Sequence, residues 1–331
     1  MKYFTNPIGQ FVIKIPIEWQ YYNVAAGYKE ESPYSFVPYE DPEVTGAFQI
    51  SCYPANERTP KENVQPADKD KLKFIEKRMD DAEMNMHLWF CTVQDHVLMA
   101  KYIYSKALSN TPRIKEELEK VKTALSKAAY ISESNRPRVL ALDRYYKFQA
   151  ALAASFDLKE SALESRSLIE FILIVASQID SYLRLCIVMK KQLNDRADEF
   201  EEKYFYQGEK CRPITERAIY KEAKNLGVLS DENYDCLSAL YDLRNKIVHR
   251  FIISDIRTRD LVDIALDYDA ASEEIRLSMR ELEGLQRDSK VGIYKDSAAP
   301  DDEIDKDELK FLFANVNDKH LLKKYKRSLD A

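Results

Sequence analysis

The chain has 331 residues, a length that suggests two domains rather than one at about 100–200 residues apiece. Its composition, 45% apolar and 32% charged, can fill sizeable cores, while only seven glycines argue against glycine-rich sandwiches and phosphate-cradling loops. A net charge of −6 gives no general basic field, so any nucleic-acid binding has to come from a local patch.

The five cysteines, Cys52, Cys91, Cys186, Cys211 and Cys236, are scattered and form no Cys-x-x-Cys pair. That pattern points to a reduced, cytoplasmic protein without a disulfide framework. The longest apolar run, Leu168 to Ile179, is short for a bilayer and carries Glu170, so no membrane association is expected.

In chain order, residues 1–108 read as an α/β domain. Phe11 to Ile15 alternates and stops at Pro16, as a strand does. Tyr34 to Val37 and Ala47 to Tyr53 suggest two more strands. Lys69 to Arg78, with Leu72 and Ile75 on one side, suggests a helix. Leu88 to Val93 and Val97 to Tyr104 flank Gln94-Asp95-His96 and predict a hairpin. The opening FVIKIPIEW resembles the start of PsbP-like domains, which implies an antiparallel sheet covered by helices and attaches no function; a sensing or regulatory role is expected of this domain from its place ahead of the helical part.

Residues 109–159 read as a helical bridge. Thr111 can cap a helix whose first position is Pro112, where a missing N–H costs nothing. That helix is predicted to run from Arg113 to Tyr130, followed by a break over Ser132 to Arg138 and a further helix from Val139 to Ala154. Residues 160–290 then show helical periodicity throughout. Ser161 to Phe205 predicts one or two long helices, and Pro213 to Leu226 a helix closed by Gly227. Asp231 is the expected N-cap of the next helix, and Thr258 to Gln286 forms a charged final one. Residues 291–331 read as an acidic linker over Asp296 to Asp307 and a terminal helix from Glu308 to Ala331, docking through Leu309, Phe311, Leu312, Leu321 and Leu322. The fold class expected is α+β, an antiparallel-sheet α/β domain followed by an all-α bundle.

Chemistry concentrates in YDCLSALYDLRNKIVHRFII, Tyr234 to Ile253. Leu237, Leu240, Leu243, Ile247 and Phe251 form the core stripe of a helix, with Asp242, Asn245, Lys246, His249 and Arg250 on the other side. Asn245 and His249 lie one turn apart, whereas Arg244 is rotated from His249 by about 140° at roughly 100° per residue. Histidine can give or take a proton at neutral pH, and arginine matches phosphate oxygens with paired donors.

LRNKIVHR resembles the Arg-x(4–6)-His signature of the HEPN superfamily, with a polar residue after the arginine. The resemblance covers residues 160–290. It implies a homodimer with two motifs facing one cleft and a metal-independent endoribonuclease giving 2′,3′-cyclic phosphate ends, of toxin–antitoxin or phage-defence type. It places Arg244, His249 and Asn245 in the catalytic role, with Asp180 or Glu170 on the preceding long helix supporting the arginine. Lys246, Arg250 and Arg184 would touch RNA, an antitoxin or other regulatory partner would restrain the activity, and no metal or other cofactor would be needed.

Several blander readings compete. Arg244 could be a structural partner of Asp242 or Asp180, and the nearby cations a solvated face, which leaves a non-catalytic binding or scaffold protein of the same fold as the alternative. His87, Cys91 and His96 can be drawn as metal ligands, but strand and turn placement without a fourth donor favours packing.

Overall fold

The computed structural model describes residues 1–38, 45–56, 64–68, 72–208 and 212–297. They form an α+β protein that divides into two compact units, one of them Met1–Lys147 and the other beginning at Phe148.

The first unit is built on two antiparallel sheets. β1 (Lys2–Thr5) pairs with β2 (Phe11–Ile15), and β2 also pairs with the short β9 (Ala129–Tyr130). The larger sheet has the order β3-β4-β5-β8-β7-β6, from β3 (Trp19–Tyr21), β4 (Tyr34–Pro38), β5 (Ala47–Pro54), β6 (Ile75–Asp80), β7 (Met84–Val93) and β8 (His96–Ser105). A one-turn helix, α1 (Tyr22–Ala25), follows β3. The expected hairpin is present: Val93 faces His96 across the Gln94-Asp95 turn, and Gln94 takes a left-handed φ of 52°.

Alternation sets the inner face. Trp89, Cys91 and Val93 of β7 and Leu98, Ala100, Tyr102 and Tyr104 of β8 are buried, with the residues between them partly exposed. Phe11, Ile13 and Ile15 of β2 close the other side of this core, where Phe4 meets Phe36 edge to face at 4.9 Å. Gly46 enters β5 with φ 78° and its Cα so close to β8 that a Cβ would meet the Ile103 carbonyl at 2.5 Å. Only glycine fits there.

Helix α2 (Pro112–Leu125) lies over β2 and β8, capped by Thr111, whose hydroxyl accepts from the Ile114 N–H. Its buried Glu117 accepts a 2.8 Å bond from the Trp19 indole N–H. The helix stops at Leu125, short of the predicted Tyr130, because Ala129 and Tyr130 instead extend the small sheet beside β2. The helix predicted over Lys69 to Arg78 is also corrected. From Ile75 the chain is strand β6, which takes its hydrogen bonds from β7; residues 69–71 lie outside the described part. The predicted break at Ser132 to Arg138 is a 3-10 turn over Glu133–Asn135 that leads directly into α3 (Arg136–Glu164), where Pro137 sits in the first turn and sacrifices no bond.

The second unit is helical. Its axis is α4 (Leu168–Asp195), which lies along α7 (Thr258–Ser289) and also contacts α5 (Glu216–Asn225) and α6 (Asp231–Arg250). By length and composition α4 could cross a membrane, yet 72% of its most apolar window is buried within the protein, as a central core helix requires. Arg196 in the left-handed conformation ends α4, and Gly227 with φ 70° follows α5 as expected. Ser230, not Asp231, caps α6: its hydroxyl accepts from the Asn233 N–H at 3.1 Å, leaving Asp231 in the first turn near the positive end of the helix dipole. Two buried glutamines tie α4 to α7. Gln286 Nε2 donates to the Met189 carbonyl at 3.2 Å and to Gln192 Oε1 at 2.9 Å. The backbone N–H groups of Ile293 and Tyr294 then donate to Gln192 Oε1 and Gln286 Oε1. The predicted terminal helix, Glu308 to Ala331, lies outside the described residues.

Candidate functional site

Helix α6 carries the motif because its apolar stripe faces α4 and α7. Leu237, Leu240 and Ile247 are buried, while Leu243 and, just past the helix, Phe251 are only half-buried. Burial thins toward the C-terminal turn, and that turn presents Lys246, His249 and Arg250 to solvent. His249 makes no hydrogen bond or ion pair among the described residues, so its imidazole is free to meet an incoming group.

Arg244 is held quite differently. Its Nη1 donates to Glu216 Oε2 at 2.5 Å, Nη2 donates to Asn245 Oδ1 at 3.1 Å, and the guanidinium lies 4.8 Å from the Tyr241 ring centroid. Burial works against its charge, but the Glu216 carboxylate more than offsets this and holds the guanidinium more firmly protonated than usual. The other Glu216 oxygen accepts from the Tyr220 hydroxyl at 2.5 Å. Burial, reinforced by Glu216, pushes the ionisation of that phenol far above its ordinary range. Glu216 therefore bridges α5 and α6.

Asp180 and Arg184, one turn apart on α4, join at 2.7 Å. Arg184 is buried and also donates to the carbonyls of Tyr204 and Ile214, so its guanidinium is committed to holding the connection between α4 and α5. Asp180 feels both Glu216 and Arg244 electrostatically, which places it in the same buried charge cluster. Its Oδ1 is buried with no hydrogen-bond partner. Burial raises its pKa from 3.8, only partly countered by Arg184.

The sign of the resulting pH effect follows directly. The folded carboxyl binds its proton more readily than the unfolded one. Its contribution to stability is therefore present below about pH 3.8 and is lost as pH rises through the higher folded value. Asp180→Asn is expected to flatten that slope, read as the urea midpoint against pH from 3 upward.

Glu170, the second supporting candidate, is exposed in the first turn of α4, ten residues or about 15 Å along the helix from Asp180. It is not in the cluster. Asp242 pairs with Arg217 rather than Arg244. Lys191 on α4 is taken by Glu201 and Glu222, whereas Lys246 and Arg250 flank His249 in the chain and are exposed, as are Arg257 and Arg259 beyond the helix. Sequence reasoning missed Glu216 and Tyr220; a glutamate after Thr215 reads simply as a favourable first-turn acid. His87 pairs with Glu76 and His96 with Asp95 and Tyr130. No group of three metal-ligating side chains occurs among the described residues.

No family model matches the chain, and no curated protein does. Among solved structures it is similar to one from Bacteroides thetaiotaomicron VPI-5482, at 12% identity over 54% of this chain and 76% of that one, with a TM-score of 0.27.

Proposed function

We propose that the protein is a HEPN-type, metal-independent endoribonuclease acting as a homodimer. The observation that supports this most is the contrast within one helix. His249 is exposed and unengaged at the end of α6, and the Arg244 guanidinium is fixed by Glu216 and Asn245 only five residues before it. An exposed imidazole can transfer the 2′-hydroxyl proton. A preplaced guanidinium can stabilise charge as it builds on the phosphorane. Lys246 and Arg250 would hold flanking phosphates. A second copy would supply the second histidine, so that one takes a proton while the other returns one.

Val248 is exposed, and just beyond the motif Ile252 is 96% and Ile253 83% exposed; a two-fold contact through these side chains would take them out of water. Ile252→Glu is expected to turn a dimer into a folded monomer in sedimentation velocity, with far-UV circular dichroism unchanged and RNA cleavage lost. A monomeric wild type would remove the shared-cleft arrangement.

The second reading is a non-catalytic binding or scaffold protein. It is favoured by one specific observation: both terminal nitrogens of Arg244 are already occupied by protein groups, so the arginine has a sufficient structural role.

A further inference from the structure

Strand β4 is buried along its whole length, although only alternate residues of a strand can face one core. Phe36 points inward and joins the aromatic core, whereas Ser35 and Val37, on the opposite face, are still only 9% and 7% exposed. The preceding stretch, Tyr22 to Pro33, folds back against this outer face. Asn23 holds it there. Its Nδ2 faces the carbonyl oxygens of Lys29, Glu31 and Pro33 at 3.1–3.4 Å, and its Oδ1 accepts from the Ser35 N–H at 2.8 Å.

The fit is not close. Between this stretch and the sheet lies an open cleft of about 840 Å³, inside the roughly 300–1,000 Å³ of small-ligand sites. Val37 and Ala47 line it beside Ser35 and Gln49 of the same two strands. Tyr22 and Tyr28 also line it, both exposed, their rings meeting edge to face at 6.3 Å. Lys29 and Glu31 are the charged residues of the described lining. With one of each sign, the cleft has no net field to draw an anion or a cation.

Two polar atoms of this lining are left over. Ser32 Oγ and Gln49 Oε1 are buried from water with no hydrogen-bond partner among the described residues. Gln49 Nε2 donates to Ser35 Oγ at 2.9 Å, so turning the amide over would only exchange which end is orphaned. A buried polar atom without a partner is destabilising, and a ligand that supplies the partner recovers that cost. An apolar ligand would leave both orphans in place. A hydroxyl can donate or accept, so it suits both the amide and the serine after a small turn of either side chain. A sugar ring adds an apolar C–H face, which lies well against a tyrosine.

We propose that this cleft binds a neutral saccharide, with its ring against Tyr28 and its hydroxyls on Ser32 and Gln49. The site lies wholly within the first unit and stands independently of what α6 does.

The test is saturation-transfer difference NMR on the full chain. The probes are the neutral disaccharides maltose, cellobiose, lactose and N,N′-diacetylchitobiose, with glucuronate as a charged control. Saturation is expected to reach the ring C–H protons of at least one disaccharide. Ser32→Ala should then raise its Kd about fivefold and Tyr28→Ala about tenfold, with circular dichroism unchanged. Because Ser32→Ala also removes an orphan, its thermal midpoint should hold or rise, which a serine serving only the fold would not allow. A midpoint that falls would remove the premise, and the proposal with it. No transfer to any of the disaccharides overturns the proposal, and transfer confined to glucuronate overturns it in favour of an anion. Binding undiminished by either substitution places the sugar elsewhere and overturns it as well.

Discussion

His249→Ala is expected to lower RNA cleavage by about 10²–10⁴-fold, the usual worth of a positioned acid or base. Stability should change by less than about 0.5 kcal/mol, because the side chain is exposed and engages nothing among the described residues. This combination is diagnostic. A structural histidine would move the thermal midpoint, and an idle surface histidine would move neither quantity. The assay is purified wild type and variant on tRNA and on an unstructured RNA, with the 3′ ends of the products tested for a 2′,3′-cyclic phosphate. A wild type that leaves both RNAs intact would end the nuclease reading and leave the scaffold reading in place.

The second large effect concerns Glu216. Glu216→Ala strips the half-buried Arg244 of its counter-charge and the Tyr220 hydroxyl of its acceptor together. Removing one member of a fully buried pair costs about 3–5 kcal/mol; this pair keeps some contact with water, so about 2–3 kcal/mol is expected, still a large part of the roughly 5–15 kcal/mol that stabilises an ordinary domain. Glu216→Gln keeps the shape and one acceptor and should cost less. Arg244→Ala should be similarly harmful alone, while the double variant Glu216→Ala, Arg244→Ala should cost less than the sum of the two. Urea unfolding of the four proteins measures this. Strict additivity would mean that the 2.5 Å contact contributes no coupling.

Where local pattern and tertiary structure agreed, the residues announced their elements. Phe11 to Ile15 alternates and meets Pro16, so its strand was readable to the residue. Thr111-Pro112 marked the start of α2 because a cap is a local device. β6 was not readable, because Ile75 to Asp80 offers only Ile75 and Met79 as apolar residues, buries neither, and is a strand through the bonds it makes to β7. The α2 helix was read too long for a related reason: Ala129 and Tyr130 are recruited by β2, more than a hundred residues upstream.

The candidate site divides in the same way. Helical phase alone put His249 and Lys246 on the outside of α6, and there they are. The partner of Arg244 could not be found so, since Glu216 lies 28 residues earlier on another helix and Asp242 and Asp180 were equally plausible rivals. Arg184 looked like one more cation for RNA. Only the folded chain shows its guanidinium spent on Asp180 and two backbone carbonyls.

The two glutamines that link α4 to α7 reach past the end of secondary structure. Because the N–H groups of Ile293 and Tyr294 answer to side chains rooted in both long helices, they can trade their protons with solvent only when those helices separate. A stretch that looks like a loose end should therefore belong to the last cooperative block to open. In deuterium labelling, protection would run on beyond Ser289 instead of fading there.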